Sequence, residues 1–414
     1  MGQDSDALSP EPVAVSEREQ ARAESKPWRA TLAALQIESP APSIIVESWL
    51  RGEPLTSFQP GKVYIVEFWA TWCGPCVDGM PHLMQLQEKY RDSGVEIVGV
   101  AASEDAATAD EARNKLDAWL TEKFSNLNYR IAFDSTGEMN KLWMEPSFSV
   151  GIPSSFVVDR DGHIAFIGQP MELDEALPRV LNGSWRTSDQ VKAADAERIA
   201  RNEPRAREQA LIKAIYDKLQ PAMKAEDWKT ARSAIEEGIA LLPDKLGFRR
   251  SQVNLLLHKM RDMQAGLPVM RQFVRDAINR NSEDWMVAAL DELFYPNFDH
   301  SHFPPAERLT MGKQLSEHIL ALNPPESDQC KLLPYPVTAL YYHESGNKDR
   351  AIELIELALK SQGGPELSRD EDKQYAISHL LQFLAYFKGE KVCYGGLCVA
   401  PNDGRFDSWI FPRG

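Results

Sequence analysis

The feature that most constrains this chain is the stretch Trp69-Ala70-Thr71-Trp72-Cys73-Gly74-Pro75-Cys76, which follows directly on an apolar run at residues 63–68. A run of Val, Ile, Tyr and Phe, interrupted only by Glu67, reads as a buried strand. Gly74 and Pro75 between the cysteines suit the first turn of a helix, where a missing N–H costs nothing. A strand that passes at once into a helix puts Cys73 at the helix N-terminus. Unsatisfied N–H groups and partial positive charge there lower a thiol pKa and make it a nucleophile. Cys76, one turn further on, is placed to attack a mixed disulfide on Cys73 and release a product.

Two other uses of the same spacing compete with this one. A zinc site needs two more soft ligands at similar spacing, whereas Cys330, Cys393 and Cys398 lie far along the chain with no histidine cluster beside them. A purely structural disulfide over so short a loop adds little stability. Trp72 before the pair and Gly74-Pro75 inside it weigh toward redox chemistry, with no metal and no cofactor beyond the redox-active Cys73–Cys76 disulfide.

At 414 residues the chain is long for one domain, and its 43 % hydrophobic content is enough for more than one core. A net charge of −15 argues against nucleic acid or an anionic membrane as the main partner. No apolar run approaches the roughly 18 residues of a membrane span. Residues 1–20 are polar and acidic, without a basic or an apolar signal region, so the sequence as it stands shows no export signal. Asp6 breaks the myristoylation pattern that Met1-Gly2 begins.

Residues 1–40 read as a flexible N-terminal arm with room for one helix over about 15–34. From there to residue 184 strands and helices alternate. Strands are expected at 43–50, 55–58, 63–68, 95–101 and 129–133, with helices at 74–90 (kinked at Pro81), 111–124 and 136–144. Strands at 155–159 and 164–167, joined through Arg160-Asp161-Gly162-His163, form a hairpin before a helix at 171–181. This order predicts an α/β fold with a mixed central sheet and helices on both faces. Residues 185–390 show helical periodicity almost throughout and read as an all-α domain. Two stretches, 212–243 and 332–363, carry small and apolar residues (Ala231, Ile235, Gly238; Gly346, Ala351, Ala358) at spacings of a degenerate tetratricopeptide-like repeat. An ordinary helical domain with small residues at helix crossings is the alternative.

Residues 391–414 begin with Val392-Cys393-Tyr394-Gly395-Gly396-Leu397-Cys398-Val399, a hairpin signal with a Gly-Gly turn. Cys393 and Cys398 then face each other at a non-hydrogen-bonded position with alpha carbons about 4.5 Å apart. Either they form a structural disulfide, which implies an oxidising compartment, or they are two reduced cysteines that pack. Cys330 reads as a buried small apolar residue.

Residues 41–184 resemble the thioredoxin superfamily, and within it the TlpA/ResA-like thiol–disulfide oxidoreductases. Val66 through Cys76 carry the resemblance, together with Pro81, the segment Gly151-Ile152-Pro153-Ser154-Ser155-Phe156-Val157-Val158-Asp159, and the extra residues at about 101–145. The resemblance implies a thioredoxin-like fold, Cys73 as attacking thiolate and Cys76 as resolving thiol. It places Glu67 as a buried acid that takes the Cys76 proton. Pro153 becomes a cis-proline that presents the Ile152 backbone to an extended substrate. Trp72, Gly74 and Pro75 complete the substrate surface. Val77 departs from the pattern, standing where thioredoxin usually has a basic residue, so the acidity of Cys73 is open.

The Gly-Pro pair resembles reducing members and favours a disulfide reductase. Its expected partners are a disulfide-containing protein substrate, an upstream thiol electron donor and a protein bound by the helical domain, with no nucleic acid. The resemblance suggests an extracytoplasmic location, the missing signal a cytoplasmic one. Two other functions fit less of the sequence. One is an interaction scaffold with a redox-sensing domain. The other is a thiol peroxidase, against which stands Ala70, three residues before Cys73, where peroxiredoxins need a threonine.

Overall fold

The computed structural model describes residues 34–104, 106–327, 331–362, 371–394 and 396–401. Most of the expected N-terminal arm, Cys330 and Gly395 lie outside the described residues. The chain divides into two compact units, residues 1–210 and 211–414.

The first unit is built on a six-stranded sheet. Its strands are β1 (Ser48–Arg51), β2 (Val63–Trp69), β3 (Val95–Ala101), β4 (Arg130–Phe133), β5 (Ser154–Val158) and β6 (Ile164–Gly168), in the order β1-β4-β3-β2-β5-β6. β2, β3 and β4 run parallel, while β1, β5 and β6 add antiparallel pairings, so the sheet is mixed. β2 is central and buried at every position, which is why its residues are apolar on both faces.

On one face Val63, Ile65 and Trp69 pack with three helices, α1 (Gly74–Tyr90), α2 (Ala109–Lys123) and α3 (Leu173–Leu181). On the other, Tyr64, Val66 and Phe68 meet Trp143 and Phe156, with Leu35 and Leu55 covering the edge. Gln87 locks α1 to β3 from within: its amide donates to Val95 O at 2.9 Å and accepts from Ile97 N at 2.7 Å.

Three expected elements come out differently. The strands at 43–50 and 55–58 reduce to β1, because β4 gives a ladder only to Ser48–Arg51. Before it, Glu47 N still donates to Phe133 O at 3.0 Å, while Ser43 O accepts from Trp143 Nε1 at 3.1 Å and takes no part in a ladder. The helix at 136–144 is a π-turn at Asn140–Met144. The Asp134 carboxylate accepts from Thr136 N at 2.8 Å and Met139 N at 2.8 Å and spends the preceding residues on a turn.

The boundary between units falls inside α4 (Asp189–Lys224), not after residue 184. The first turns of α4 belong to the sheet unit: Asp195 accepts from Ile37 N at 2.9 Å and Arg198 donates to Ser147 O at 2.6 Å.

The second unit contains α5 (Trp228–Leu241), α6 (Leu246–Val253), α7 (Met263–Asn279), α8 (Glu283–Phe294), α9 (Pro305–Leu322), α10 (Pro334–Glu344), α11 (Lys348–Ser361) and α12 (Glu371–Lys388). Ile215 and Leu219 of α4 pack with Ala231 and Ile235 of α5 and with Phe248 of α6. A Cβ at Gly238 would lie 2.8 Å from the Phe248 ring, so only glycine permits that crossing. α8 is the spine of the main core, with every side chain from Trp285 to Phe294 buried. Its Asp291 and Glu292 carboxylates are met by Arg250, and His258 adds to Glu292 at 3.2 Å. Burial pushes the Glu292 carboxyl up, but His258 and Arg250 outweigh it and hold it below its ordinary range.

A two-stranded hairpin, β7 (Val392–Tyr394) and β8 (Leu397–Val399), closes this unit with Cys393 opposite Cys398. It is not a separate tail: Val392, Tyr394, Leu397 and Val399 pack against the helical core. No described helix is long and apolar enough to cross a membrane.

Candidate active site

Side chains alternate across a pleated strand, so Glu67 shares its face of β2 with Ile65 and Trp69. That face carries the core to which both Cys73 and Cys76 belong. After Trp69 the chain turns through residues 70–72, and Cys73 becomes the N-cap of α1. Cys73 and Cys76 are joined in a disulfide, alpha carbons 5.2 Å apart, and Cys76 N donates to Cys73 Sγ at 3.3 Å. Both cysteines are buried, at 5 % and 4 % exposure, while Trp72 beside them is 61 % exposed and Gly74 and Pro75 face solvent.

The turn is fixed from the loop after β3. Trp72 Nε1 donates to Ser103 O at 2.7 Å. Thr71 donates twice to the Glu104 carboxylate, from its backbone N at 2.7 Å and its hydroxyl at 2.6 Å. Such charge-assisted bonds are stronger than neutral ones, so the residues leading into Cys73 are held firmly.

Pro153 reaches the site through strand order. β5 runs antiparallel to β2, pairing Phe68 with Ser154 and Glu67 with Ser155. The residue just before β5 therefore lies at the end of β2 from which the cysteine turn departs. The Ile152–Pro153 bond there is cis. Ser154 Oγ donates to Gly151 O at 2.7 Å, and Gly151 has φ 146°, a conformation that suits glycine. Ile152 is partly buried against the cores on both faces of the sheet.

Glu67 is 3 % exposed and its carboxylate accepts a hydrogen bond from the Ser155 hydroxyl. Burial pushes its carboxyl up to about 8, although the Ser155 hydrogen bond pulls the other way. Its neighbour on β3 is Gly99, where a Cβ would come within 2.8 Å of Ile131 and 3.0 Å of Trp69 Nε1. Tyr129 feels the same setting: burial raises its phenol pKa, and the Glu67 charge raises it further. A carboxyl with a pKa near 8, on the face that carries the cysteine pair, is present in both forms near neutral pH and can take up or give back a proton out of water.

The structure thus brings Glu67, Trp72, Cys73, Gly74, Pro75, Cys76, Ile152 and Pro153 to one end of the sheet. Cys393 and Cys398 belong to the other unit. Ser103, Glu104 and Ser155 are further members that sequence reasoning missed. Ser155 stood in the quoted proline segment, but nothing in the spacing marked Glu104, which meets Thr71 only in three dimensions. Among the described residues, no group of three His, Cys, Asp or Glu side chains is placed to hold a metal ion.

Residues 38–181 match the family described as Redoxin. Protein FixW of Rhizobium leguminosarum is 43 % identical over 226 residues, which are 54 % of this chain and 98 % of that protein. Thiol-disulfide oxidoreductase ResA of Bacillus thuringiensis subsp. konkukian (strain 97-27) is 31 % identical over 132 residues, 31 % of this chain and 68 % of ResA. Among solved structures, a thiol:disulfide interchange protein of the thioredoxin family from Chlorobium tepidum TLS has 26 % identity and a TM-score of 0.28, covering 37 % of this chain and 99 % of its own. On the strength of identity above 30 % across most of FixW and of ResA, this chain belongs to the redoxin family of thioredoxin-like thiol–disulfide oxidoreductases.

Proposed function

We propose that the protein reduces disulfides in partner polypeptides by dithiol–disulfide exchange at Cys73 and Cys76. The observation that carries this reading is the placement of Cys73 as N-cap of α1 with the raised carboxyl of Glu67 on the same sheet face. In the reduced protein the helix N-terminus favours the Cys73 thiolate. That thiolate attacks one sulfur of the substrate disulfide. A Cys73–substrate bond forms, the substrate S–S bond breaks, and the other substrate sulfur leaves as a thiolate that takes a proton from water. Cys76 then gives its proton to the fraction of Glu67 that is ionised and attacks Cys73 Sγ. This releases the second substrate thiol and leaves the Cys73–Cys76 disulfide. A thiol electron donor restores the dithiol, and no further cofactor enters the cycle.

The Ile152 backbone beside cis-Pro153 is the edge on which an extended substrate segment pairs, with Trp72, Gly74 and Pro75 flanking it. The helical unit, in this reading a degenerate tetratricopeptide-like array, recruits the partner. Reduction of insulin by wild type and by Cys73→Ser tests the reading. A rate for wild type well above that of the variant supports it, and equal rates remove it. Cys76→Ser should leave a substrate covalently attached to Cys73, identifiable by mass spectrometry.

A further inference from the structure

The hairpin disulfide has a setting that a structural staple does not require. β7 and β8 alternate their side chains, and the inward set, Val392, Tyr394, Leu397 and Val399, already fastens the hairpin to the helical core. The Tyr394 hydroxyl adds a hydrogen bond to Leu359 O at 3.5 Å. Cys393 and Cys398 are the outward set, directly opposed across the ladder, and both are exposed. Cysteine is among the residue types most often buried, so two cysteines on the wet face of a three-residue ladder stand against the usual partition. A ring closed over so few residues also restrains the unfolded chain least. Disulfides that are exposed in this way are the labile and regulatory ones.

We propose that Cys393–Cys398 is a second redox couple, an exposed disulfide that the Cys73/Cys76 dithiol reduces. The proposal rests on the exchange chemistry given above and adds a substrate class: a surface disulfide of a two-stranded hairpin, supplied by this chain itself. A recessed nucleophile such as Cys73 reaches a disulfide most readily when both target sulfurs stand clear of their own fold, as these do. Once a dithiol donor has reduced Cys73–Cys76, the Cys73 thiolate attacks Cys393 or Cys398. The hairpin S–S bond breaks, a Cys73 mixed disulfide forms, and the displaced hairpin sulfur takes a proton from water. Cys76 attacks Cys73 and frees the second hairpin thiol. Two electrons and two protons pass to the hairpin, and the Cys73–Cys76 disulfide is restored.

The test follows the appearance of thiols at Cys393 and Cys398 by alkylation and peptide mass spectrometry, under a low concentration of dithiothreitol, in full-length wild type and Cys73→Ser. Reduction at least tenfold faster in wild type is the expected result. A rate independent of protein concentration assigns the attack to the same chain, and a rate proportional to it assigns the attack to a second copy. Equal rates in the two proteins would overturn the proposal if wild type still outpaces Cys73→Ser on insulin. If both comparisons are flat, the exchange reading itself fails and takes the proposal with it. The double variant Cys393→Ser/Cys398→Ser should keep its helical circular dichroism and reduce insulin as wild type does. Loss of the helical fold in that variant would make the pair a staple and sink the idea.

Discussion

Cys73–Cys76 and Cys393–Cys398 are both short-range disulfides, yet the fold treats them in opposite ways. The first is buried, caps a 17-residue helix, and shares its face of the sheet with a buried carboxyl. The second stands exposed on three-residue strands, where neither cysteine caps a helix and the apolar neighbours turn inward. In the proposed exchange, what separates an attacking pair from an attacked one is more than a spacing of three residues against five. It is whether the backbone stabilises a thiolate at one of them and whether a proton acceptor waits nearby. Burial makes the first pair selective, since few disulfides reach it. Exposure makes the second available.

The largest expected effect breaks this comparison most directly. Cys73→Ser should cut insulin reduction on the order of a thousandfold, because it removes the only cysteine that caps a helix N-terminus among the described residues. The double variant Cys393→Ser/Cys398→Ser should leave that rate within about twofold. Comparable losses in both would mean the two disulfides act as one unit, and the contrast drawn above would be wrong.

Glu67→Gln comes next. Without a group to take the Cys76 proton, release of the trapped substrate should slow by about a hundredfold at pH 7. The same substitution has a stability signature. Glu67 titrates near 4.5 when unfolded and near 8 when folded, so between those values the folded chain holds a proton the unfolded chain has lost. Its contribution is complete below 4.5 and is lost as the pH rises through 8, at about 1.4 kcal/mol per pH unit across the window. Urea unfolding at several pH values should show that slope in wild type and not in the variant. An unchanged slope would mean the carboxyl is ionised in the folded state.

The sequence made this half of the comparison legible because local pattern and chemistry coincide there. The apolar run of β2, the Gly-Pro inside the cysteine pair and the Ile152-Pro153 segment each carry a reason in their own residues. Glu104 carries none, since its role depends on the loop after β3 returning to Thr71. The same holds for Arg250 beside Asp291 and Glu292, a pairing set by helix packing in the second unit. The π-turn at Asn140–Met144 was hidden for another reason: Asp134 gathers the N–H groups of Thr136, Gly137 and Met139 into a turn in which Gly137, at φ 77°, leaves the helical region.

Glu104→Ala sharpens the comparison by loosening only the attacking side. Thr71 loses both acceptors, which should cost about 1–2 kcal/mol of stability. Removing a negative charge held against Thr71, two residues before Cys73, should also make that thiol more acidic. Iodoacetamide labelling of reduced Cys73 against pH should move to a lower midpoint, a shift that loss of packing alone would not give. Glu104→Gln keeps part of the hydrogen bonding and separates the two contributions: the midpoint should still fall while stability largely recovers.

The smallest expected effect concerns the hairpin itself. The entropy of a ring over so few residues limits the stabilisation by Cys393–Cys398 to roughly 2 kcal/mol, because a short segment loses little freedom when its ends are tied. The inward residues Val392, Tyr394, Leu397 and Val399 remain packed on the core when the sulfurs part. Reduction should therefore lower the melting temperature of the helical unit by only a few degrees and leave its helical signal unchanged. Hydrogen exchange localises the response. Amides of β7 and β8 should exchange faster after reduction, while those of α8 keep their protection. Loss of protection in α8 would show that the hairpin disulfide holds the helical core together, and the line between an attacking and an attacked pair would have to be redrawn as one between a catalytic and a structural pair.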